Sequence, residues 1–142
     1  MTLARCKILK LPNVEDMRGN LAFIEGGKHI QFPIRRVYYL FGVPEGATRG
    51  GHAHKELDQL MIATSGSFDV ILDDGYQRER IRLSDPAEGL LICPMIWREL
   101  ENFSPNSVCL VLASRPYEES DYFRRYEDFL QEAHRKFDDP LS

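Results

Sequence analysis

Apolar and polar residues alternate over short stretches along most of this chain, with the period of two that is typical of β-strands. The alternation is clear in residues 34–41, where Tyr38 lies on one face of the predicted strand and Tyr39 on the other. Both faces of this strand carry large side chains. We therefore expect one tyrosine to face a cavity and the other to pack in the core.

Further strands are separated by turns rich in Gly, Pro and Asp. They are expected at residues 6–11, 21–25, 59–63, 67–72, 78–83, 89–93 and 108–113. Many short strands between such turns predict an all-β sandwich or barrel.

The pattern changes towards the C-terminus. Tyr122, Tyr126, Phe129 and Ala133 recur at helical spacing, with acidic residues early in the segment and basic residues late. This spacing predicts an amphipathic helix at about residues 118–137, which packs on the barrel or on a partner subunit.

Composition narrows the class of protein. The chain suits one domain, residues 1–142, with a β core at about residues 5–115. Its 43% of apolar residues and formal net charge of -4 describe a soluble globular protein without the basic face of a nucleic-acid binder. No apolar run approaches the ~20 residues of a membrane span, and the N-terminus lacks a secretory signal. Cys6, Cys93 and Cys109 therefore read as reduced thiols in a cytoplasmic protein.

Two histidines mark the most informative stretch of the sequence. In a strand, His52 and His54 share one face. Gly50 and Gly51 precede them, and the missing Cβ atoms leave room for a ligand near the backbone. Arg49 stands beside them and could clamp an anionic group or a carbonyl oxygen. We expect a small-molecule site here; the alternative is a histidine pair satisfied by hydrogen bonds inside a barrel.

Other side chains could complete such a site. Tyr38 or Tyr39 could donate its phenol hydrogen to a developing oxyanion. Gln59 could bind a substrate hydroxyl, orient a histidine or play a structural role. Trp97 could form an apolar wall of the site or part of the core.

Two arginines leave similar alternatives open. Arg98 could reach the cavity or turn outward, and Arg18 could contact a ligand phosphate or pair with Asp16 in a tight turn. His29, in a polar turn, and His134, late on the predicted helix, are expected to be ordinary surface residues.

The spacing around the histidines resembles the first cupin motif, in which Gly46 and Gly66 take the flanking glycine positions. Gln59 stands where that motif has an acidic metal ligand, and residues 89–99, the counterpart of the second motif, contain no His. Two of the four usual ligands remain, whereas a catalytic metal normally has about three protein ligands. The resemblance therefore implies a site without a metal, with histidines available for acid–base chemistry.

Six segments form a further pattern. They are Arg-Arg-Val-Tyr-Tyr (35–39), Arg-Gly-Gly-His-Ala-His-Lys (49–55), Leu-Asp-Asp-Gly (72–75), Pro-Met-Ile-Trp (94–97), Val-Leu-Ala-Ser (111–114) and Asp-Tyr-Phe-Arg-Arg-Tyr (121–126). Together they resemble the nucleotide-sugar 3,4-ketoisomerases, which are small cupin-fold dTDP-4-keto-6-deoxyhexose isomerases of the FdtA/QdtA type. One departure is Arg98, where that family often has His.

The resemblance implies a cupin-type jelly-roll barrel with a C-terminal helix. It implies cofactor-free and metal-free conversion of a dTDP-linked 4-keto-6-deoxy sugar to its 3-keto isomer, through an enediolate, in deoxy-amino-sugar biosynthesis. His52 would be the leading base, His54 the second acid/base, and Tyr38 and Arg49 the donors to oxygen. Substrate contacts are expected from Arg18, Gly51, Gln59, Trp97 and Arg98. The expected assembly is a homodimer with exchanged N-terminal strands, and no nucleic acid or membrane is expected as a partner.

Three alternatives remain. A metal-dependent cupin would hold Fe, Mn or Zn and lose activity with a chelator. A related sugar epimerase would exchange hydrogen beside the ketone but leave the ketone at C4. A non-catalytic nucleotide-sugar-binding cupin would bind its ligand without hydrogen exchange.

Overall fold

Two five-stranded antiparallel sheets and a two-stranded hairpin make up the β-structure of the computed structural model, which describes residues 2–138. Twelve strands occur within this range: β1 (Lys7–Lys10), β2 (Asn13–Asp16), β3 (Gly19–Ala22), β4 (Arg36–Phe41), β5 (Arg49–His54), β6 (Gln59–Ser65), β7 (Phe68–Asp73), β8 (Arg78–Leu83), β9 (Glu88–Ile92), β10 (Trp97–Glu101), β11 (Val108–Ala113) and β12 (Tyr122–Phe123). The helix in this range, α1, spans Tyr126–Asp138, and 3-10 turns cover Thr2–Arg5 and Glu119–Asp121.

The two large sheets pack around one apolar core. One sheet has the strand order β1-β9-β6-β11-β4, and the other has the order β12-β5-β10-β7-β8. In β7 the alternate residues Phe68, Val70 and Leu72 are fully buried, in one cluster with Cys109 and Val111 of β11. Burial of each such large apolar side chain contributes roughly 1.5–3 kcal/mol. The predicted all-β jelly roll with a C-terminal helix is confirmed.

Most of the expected strands occur close to their predicted bounds. The strand predicted at residues 21–25 is wrong at both ends, because β3 pairs with β2 in a hairpin around residues 16–19. β10 is absent from the prediction because it buries a charged residue, Arg98, where alternation suggests none.

The C-terminal helix is shorter than predicted. It begins at Tyr126, and the preceding residues form a 3-10 turn and β12 instead. Tyr122 pairs with His54 of β5 and therefore belongs to a sheet, although its spacing from Tyr126 looks helical. The prediction of helix from residue 118 is wrong. Phe129 of the helix is fully buried beside Trp97. No helix within residues 2–138 is both long enough and apolar enough to cross a membrane.

The two faces of β4 differ sharply. Tyr38 is half-buried and packs on the core, whereas Tyr39 on the opposite face is 59% exposed. The prediction that the second tyrosine packs in the core is wrong, because β4 is the last strand of its sheet and Val37 and Phe41, on the same outer face, are exposed too.

Candidate active site

A bulge in β5 sets the position of His52. Opposite β10, Arg98 pairs with His52 and the next residue pairs with Gly50, so Gly51 is an extra residue in β5. Gly50 and Gly51 have φ angles of 87° and 62°, which side chains rarely adopt. A Cβ on Gly50 would also lie 3.1 Å from the carbonyl oxygen of Arg98. Bulges of this kind re-aim a neighbouring side chain, here that of His52.

The hydrogen bond of His52 fixes its tautomer. Its Nδ1 lies 3.0 Å from the carbonyl oxygen of Gly50, and because a carbonyl only accepts, Nδ1 carries the hydrogen. The Nε2 atom therefore keeps its lone pair, and it is buried with no hydrogen-bond partner among residues 2–138. Burial and the charge of Arg98 lower the pKa of His52 to about 4. His52 is thus a neutral base at physiological pH.

His54 is held in the same tautomer by a carboxylate. Its Nδ1 donates to Oδ2 of Asp121 at 3.0 Å, and the backbone N–H of Glu56 donates to the other oxygen at 2.8 Å. The Nε2 atom of His54 is buried and has no partner in the described part of the chain. Burial, together with Arg98, lowers the pKa of His54 to about 2. The two imidazoles meet edge to face, with ring centroids 4.9 Å apart.

A buried chain of hydrogen bonds orients Tyr38. Arg98, only 1% exposed, donates through Nε and Nη2 to the carbonyl of Ile96 and through Nη1 to Oε1 of Gln59. Because a guanidinium has no acceptor, the amide of Gln59 must turn its oxygen to Arg98. Its Nε2 then donates to the hydroxyl of Tyr38 at 2.9 Å. The Tyr38 oxygen accepts in this contact, so its own hydrogen remains available for a ligand.

These groups surround a cavity of about 430 Å³ between the two sheets. Tyr38 and His52 line it together with apolar side chains such as Leu40 and Met61. Its lining also contains four arginines: Arg36, Arg49, Arg98 and Arg124. The cavity therefore suits a ligand that combines an anionic part with a less polar part.

The structure brings most of the expected site residues together. Tyr38, Arg49, His52 and Arg98 line the cavity; His54 packs against His52, Gln59 links Tyr38 to Arg98, and Gly51 forms the bulge. In the structure the Gln59 amide holds Tyr38 and Arg98, and Arg98 turns inward.

Two expected contacts are not brought to the cavity. Arg18 lies at the tip of the β2–β3 hairpin, where its side chain is 90% exposed and pairs with Asp16 at 2.6 Å. Trp97 packs with Phe129 and Ala133 of α1 and is absent from the cavity lining. Of the two alternatives for Trp97, the structure shows the core position, because Trp97 and Arg98 are consecutive in β10 and point to opposite faces.

Several residues at the site were missing from the sequence prediction. Asp121 orients His54, and the ring of Tyr122 contacts both histidines, at centroid distances of 5.1 Å and 4.3 Å. Arg124 lies over the Tyr122 ring at 4.0 Å and is paired with Glu119. The available signal was the cluster of charged and aromatic residues at 121–126, which the helical spacing obscured.

The donor atoms of the site do not match a cupin metal centre. Within residues 2–138, no group of three or more His, Cys, Asp or Glu side chains could hold a metal ion. The amide of Gln59 and the guanidinium of Arg98 bond to each other beside the histidines, and a guanidinium is not a metal ligand.

Comparison with known proteins gives a consistent picture. Residues 4–134 match the family model FdtA, described as WxcM-like, C-terminal. The TDP-4-oxo-6-deoxy-alpha-D-glucose-3,4-oxoisomerase of Aneurinibacillus thermoaerophilus is 45% identical over 123 residues, covering 87% of this chain and 88% of that protein. Among solved structures, the chain is similar to a His-to-Asn mutant of the 3,4-ketoisomerase QdtA from Thermoanaerobacterium thermosaccharolyticum in complex with TDP-4-keto-6-deoxyglucose. The sequence identity is 40%, the match covers 94% of this chain and 97% of that chain, and the TM-score is 0.92. The WlaRB TDP-quinovose 3,4-ketoisomerase of Campylobacter jejuni is 47% identical, and the match covers 89% of this chain and 97% of that chain with a TM-score of 0.85.

Proposed function

This chain belongs to the FdtA family, and from that membership we propose that it is a 3,4-ketoisomerase of a TDP-linked 4-keto-6-deoxy sugar in deoxysugar biosynthesis. The observation that carries the proposal is a pair of neutral histidines with unshared Nε2 lone pairs, at a cavity where a tyrosine hydroxyl is kept as a donor. Moving a ketone to the neighbouring carbon needs these groups: a base, an acid and a donor to the oxyanion.

The proposed reaction starts at His52. Its Nε2 removes the hydrogen at C3, which is acidic because C3 is next to the C4 ketone. The electron pair of that C–H bond forms the C3–C4 double bond of an enediolate, and negative charge moves to the C4 oxygen. Reprotonation at C4 and loss of the hydroxyl proton at C3 leave the ketone at C3. Protons and electrons balance within the sugar, so the scheme needs no metal or redox cofactor.

Tyr38 and Arg49 are proposed as the donors to the developing oxyanion. The Gln59 amide leaves the Tyr38 hydrogen free to donate, and Arg49 lies on the wall of the same cavity. A preorganised donor of this kind typically contributes roughly 10²–10³-fold to the rate. His54 is proposed to move the proton between the two oxygens.

The charges of the cavity support a nucleoside diphosphate as the part of the ligand that is bound but not transformed. Arg36 and Arg49 lie at the cavity without a carboxylate ion pair among residues 2–138, and guanidinium groups match phosphate oxygens. The QdtA relative was solved with TDP-4-keto-6-deoxyglucose, and we propose the same class of substrate for this chain.

A homodimer is proposed from the β2–β3 hairpin. All of its residues are exposed, including Val14 and Leu21. An apolar groove of about 320 Å³ on the outer sheet face, lined by Val37 and Leu110, could receive the same hairpin from a second copy. Exchange of this hairpin would carry Arg18 away from its own chain, and we propose that its expected contact with a ligand phosphate is made at the cavity of the second copy. In this assembly β1 stays on β9 of its own chain, where it pairs at four positions.

The cysteines bear on the compartment. None of Cys6, Cys93 and Cys109 is in a disulfide. An odd number of cysteines without the spacing of a disulfide framework is typical of reducing compartments, and we propose the cytoplasm as the place where the protein works.

Proton NMR in D₂O tests the function directly. Purified, EDTA-treated protein is mixed with dTDP-4-keto-6-deoxyglucose, and the His52→Asn variant serves as the control. We expect a new 3-keto species with deuterium at C4, whose coupling pattern gives the C4 configuration. Binding without exchange would support a non-catalytic binding protein, and exchange with the ketone still at C4 would support an epimerase; either result would refute the proposal.

A further inference from the structure

Two thiols that are far apart in sequence meet at the edge of one sheet. The Sγ atoms of Cys6 and Cys93 are 3.7 Å apart, although 87 residues separate them along the chain. Cys6 directly precedes β1, and Cys93 directly follows β9, the strand with which β1 pairs. A disulfide has an S–S distance of about 2.05 Å, so a shift of less than 2 Å would bring the sulfurs to bonding distance. Cys6 is half-buried and directly precedes an edge strand, whereas Cys93 is buried, so Cys6 is the more exposed of the two thiols.

We propose that Cys6 and Cys93 are a redox-sensitive thiol pair, which a small carboxylate-bearing disulfide such as oxidised glutathione converts into a disulfide that locks β1 onto β9. The pair is absent from the lining of the cavity that contains His52. Its chemistry is therefore testable whether or not the chain is an isomerase.

The surroundings of the pair suit this reagent. Cys93 lines a cavity of about 490 Å³ on the side of the sheet away from His52, together with Arg5, Lys7 and Asp58. Cys6 lies between the two cations in the chain. Arg5 and Lys7 outnumber the single carboxylate of this cavity and would attract the carboxylates of the peptide disulfide. The hydrogen bond from Cys93 lowers the pKa of Cys6, which favours the Cys6 thiolate as the attacking group of the pair.

The reaction is a balanced thiol–disulfide exchange. The Cys6 thiolate attacks one sulfur of the reagent, forms a mixed disulfide and releases one small thiol. The pKa of Cys93 is raised chiefly by its hydrogen bond to Cys6, and that influence ends once Cys6 carries the mixed disulfide. Cys93 then loses its proton, attacks the Sγ of Cys6 and releases the second small thiol. Two protein thiols are oxidised, and one reagent disulfide is reduced to two thiols.

Cys109 provides a matched control within the same chain. It is fully buried in the main core, and burial raises its pKa to about 12. It should therefore stay reduced under conditions that oxidise the pair.

The experiment treats the full chain with oxidised glutathione and follows it by thiol titration, intact mass and non-reducing peptide mapping. Wild type and Cys109→Ala should each lose two thiols and the mass of two hydrogens, with Cys6 linked to Cys93 in one chain. The denaturation midpoint of both should rise on oxidation and return with a dithiol reductant. Cys93→Ala should stop at the mixed disulfide and gain the mass of one glutathione unit, and Cys6→Ser should not react at either position.

Several results would overturn the proposal. They are a persistent mixed disulfide on wild-type Cys6, a disulfide between two chains, modification that starts at Cys109, or no reaction until the protein unfolds. Cys6→Ser alters a half-buried position and is expected to fold, so the comparison with wild type remains informative even if Cys93→Ala does not fold.

Discussion

The Nδ1 atom of His54 donates to Oδ2 of Asp121 across 3.0 Å, joining the histidine motif to a residue 67 positions further along the chain. Both side chains are buried, with exposures of 1% and 8%. The contact closes the C-terminal segment over the histidines and determines which nitrogen of His54 carries a hydrogen.

Asp121→Asn tests this positioning role. The amide of the new side chain would donate to Nδ1 and leave the hydrogen of His54 on Nε2, which removes its basic lone pair. We expect kcat to fall by roughly 10²–10⁴-fold, the range of a positioned acid or base, with little change in KM. Turnover by NMR and the ¹⁵N tautomer shifts of His54 provide the measurement. Asp128→Asn, at an exposed position of α1, should leave both unchanged; an unchanged tautomer in Asp121→Asn would argue against the role.

Gln59→Glu tests the hydrogen-bond chain that orients Tyr38. A carboxylate accepts from both neighbours, so the Tyr38 hydroxyl would turn its hydrogen toward residue 59 and away from the substrate. We expect a loss in kcat of roughly 10²–10³-fold, similar to the loss of an oxyanion donor.

The Tyr38→Phe variant completes a double-mutant cycle for Gln59→Glu. If Gln59 acts through Tyr38, the double variant should be no slower than Tyr38→Phe alone. Fully additive losses would instead mean that Gln59 acts independently of the tyrosine.

The depressed pKa of His52 predicts an unusual pH profile. Because the pKa of this base is about 4 in the folded protein and its ordinary value is 6.5, the acid limb of kcat/KM should lie near pH 4. The pKa of His54, at about 2, should not affect the profile above that limb. A limb near pH 6.5 would show that His52 titrates as an exposed imidazole.

The same shift affects stability. Between pH 6.5 and pH 4 the unfolded chain binds a proton at His52 and the folded protein does not, so the free energy of unfolding should fall as pH falls through this window. Urea unfolding at several pH values should show a shallower fall in His52→Asn, which has no imidazole at that position. An identical slope in both proteins would contradict the assignment.

Arg18→Ala tests the proposed exchange of the hairpin. The Arg18 side chain is 90% exposed in the single chain, so stability should not change, but KM should rise if Arg18 contacts substrate in a second copy. Arg125→Ala, at a side chain that is 73% exposed near α1, is the matched control. Light scattering of the wild type should give the mass of a dimer. A monomeric wild type, together with an unchanged KM in Arg18→Ala, would refute the exchange.

Phe129→Ala should loosen the helix from the barrel. Phe129 is fully buried against Trp97, and truncation of such a side chain typically reduces the free energy of unfolding by about 3–5 kcal/mol. Trp97 is the sole tryptophan of the chain, so its fluorescence reports both the local change and global unfolding by urea. Gln131→Ala, on the exposed face of α1, should unfold like the wild type.

The sequence predicted features that depend on local periodicity and failed where a distant partner decides the structure. His52, Tyr38 and the two glycines follow from strand alternation and motif spacing, and the structure brings them to one cavity. Asp121 and Tyr122 could not be assigned in this way, because β12 exists only through its pairing with β5.

The predictions for β10 and Tyr39 failed because residue type alone does not determine burial. Arg98 gives β10 the pattern of a surface segment, yet its guanidinium is buried. Its burial is possible because it makes three hydrogen bonds to Ile96 and Gln59, and Gln59 is distant in sequence. Tyr39 looks like a core residue from its type alone, but it lies on the uncovered outer face of an edge strand, beside the exposed Val37 and Phe41.

The extra residue at Gly51 divides β5 into two parts that can change separately. Side-chain parity restarts at the bulge, so insertions or deletions in the loop at residues 42–48 need not rotate His52 or His54. Directed evolution could therefore vary that loop while the two histidines keep their geometry. The bulge thus separates a loop that can change in length from a strand segment whose register stays constant.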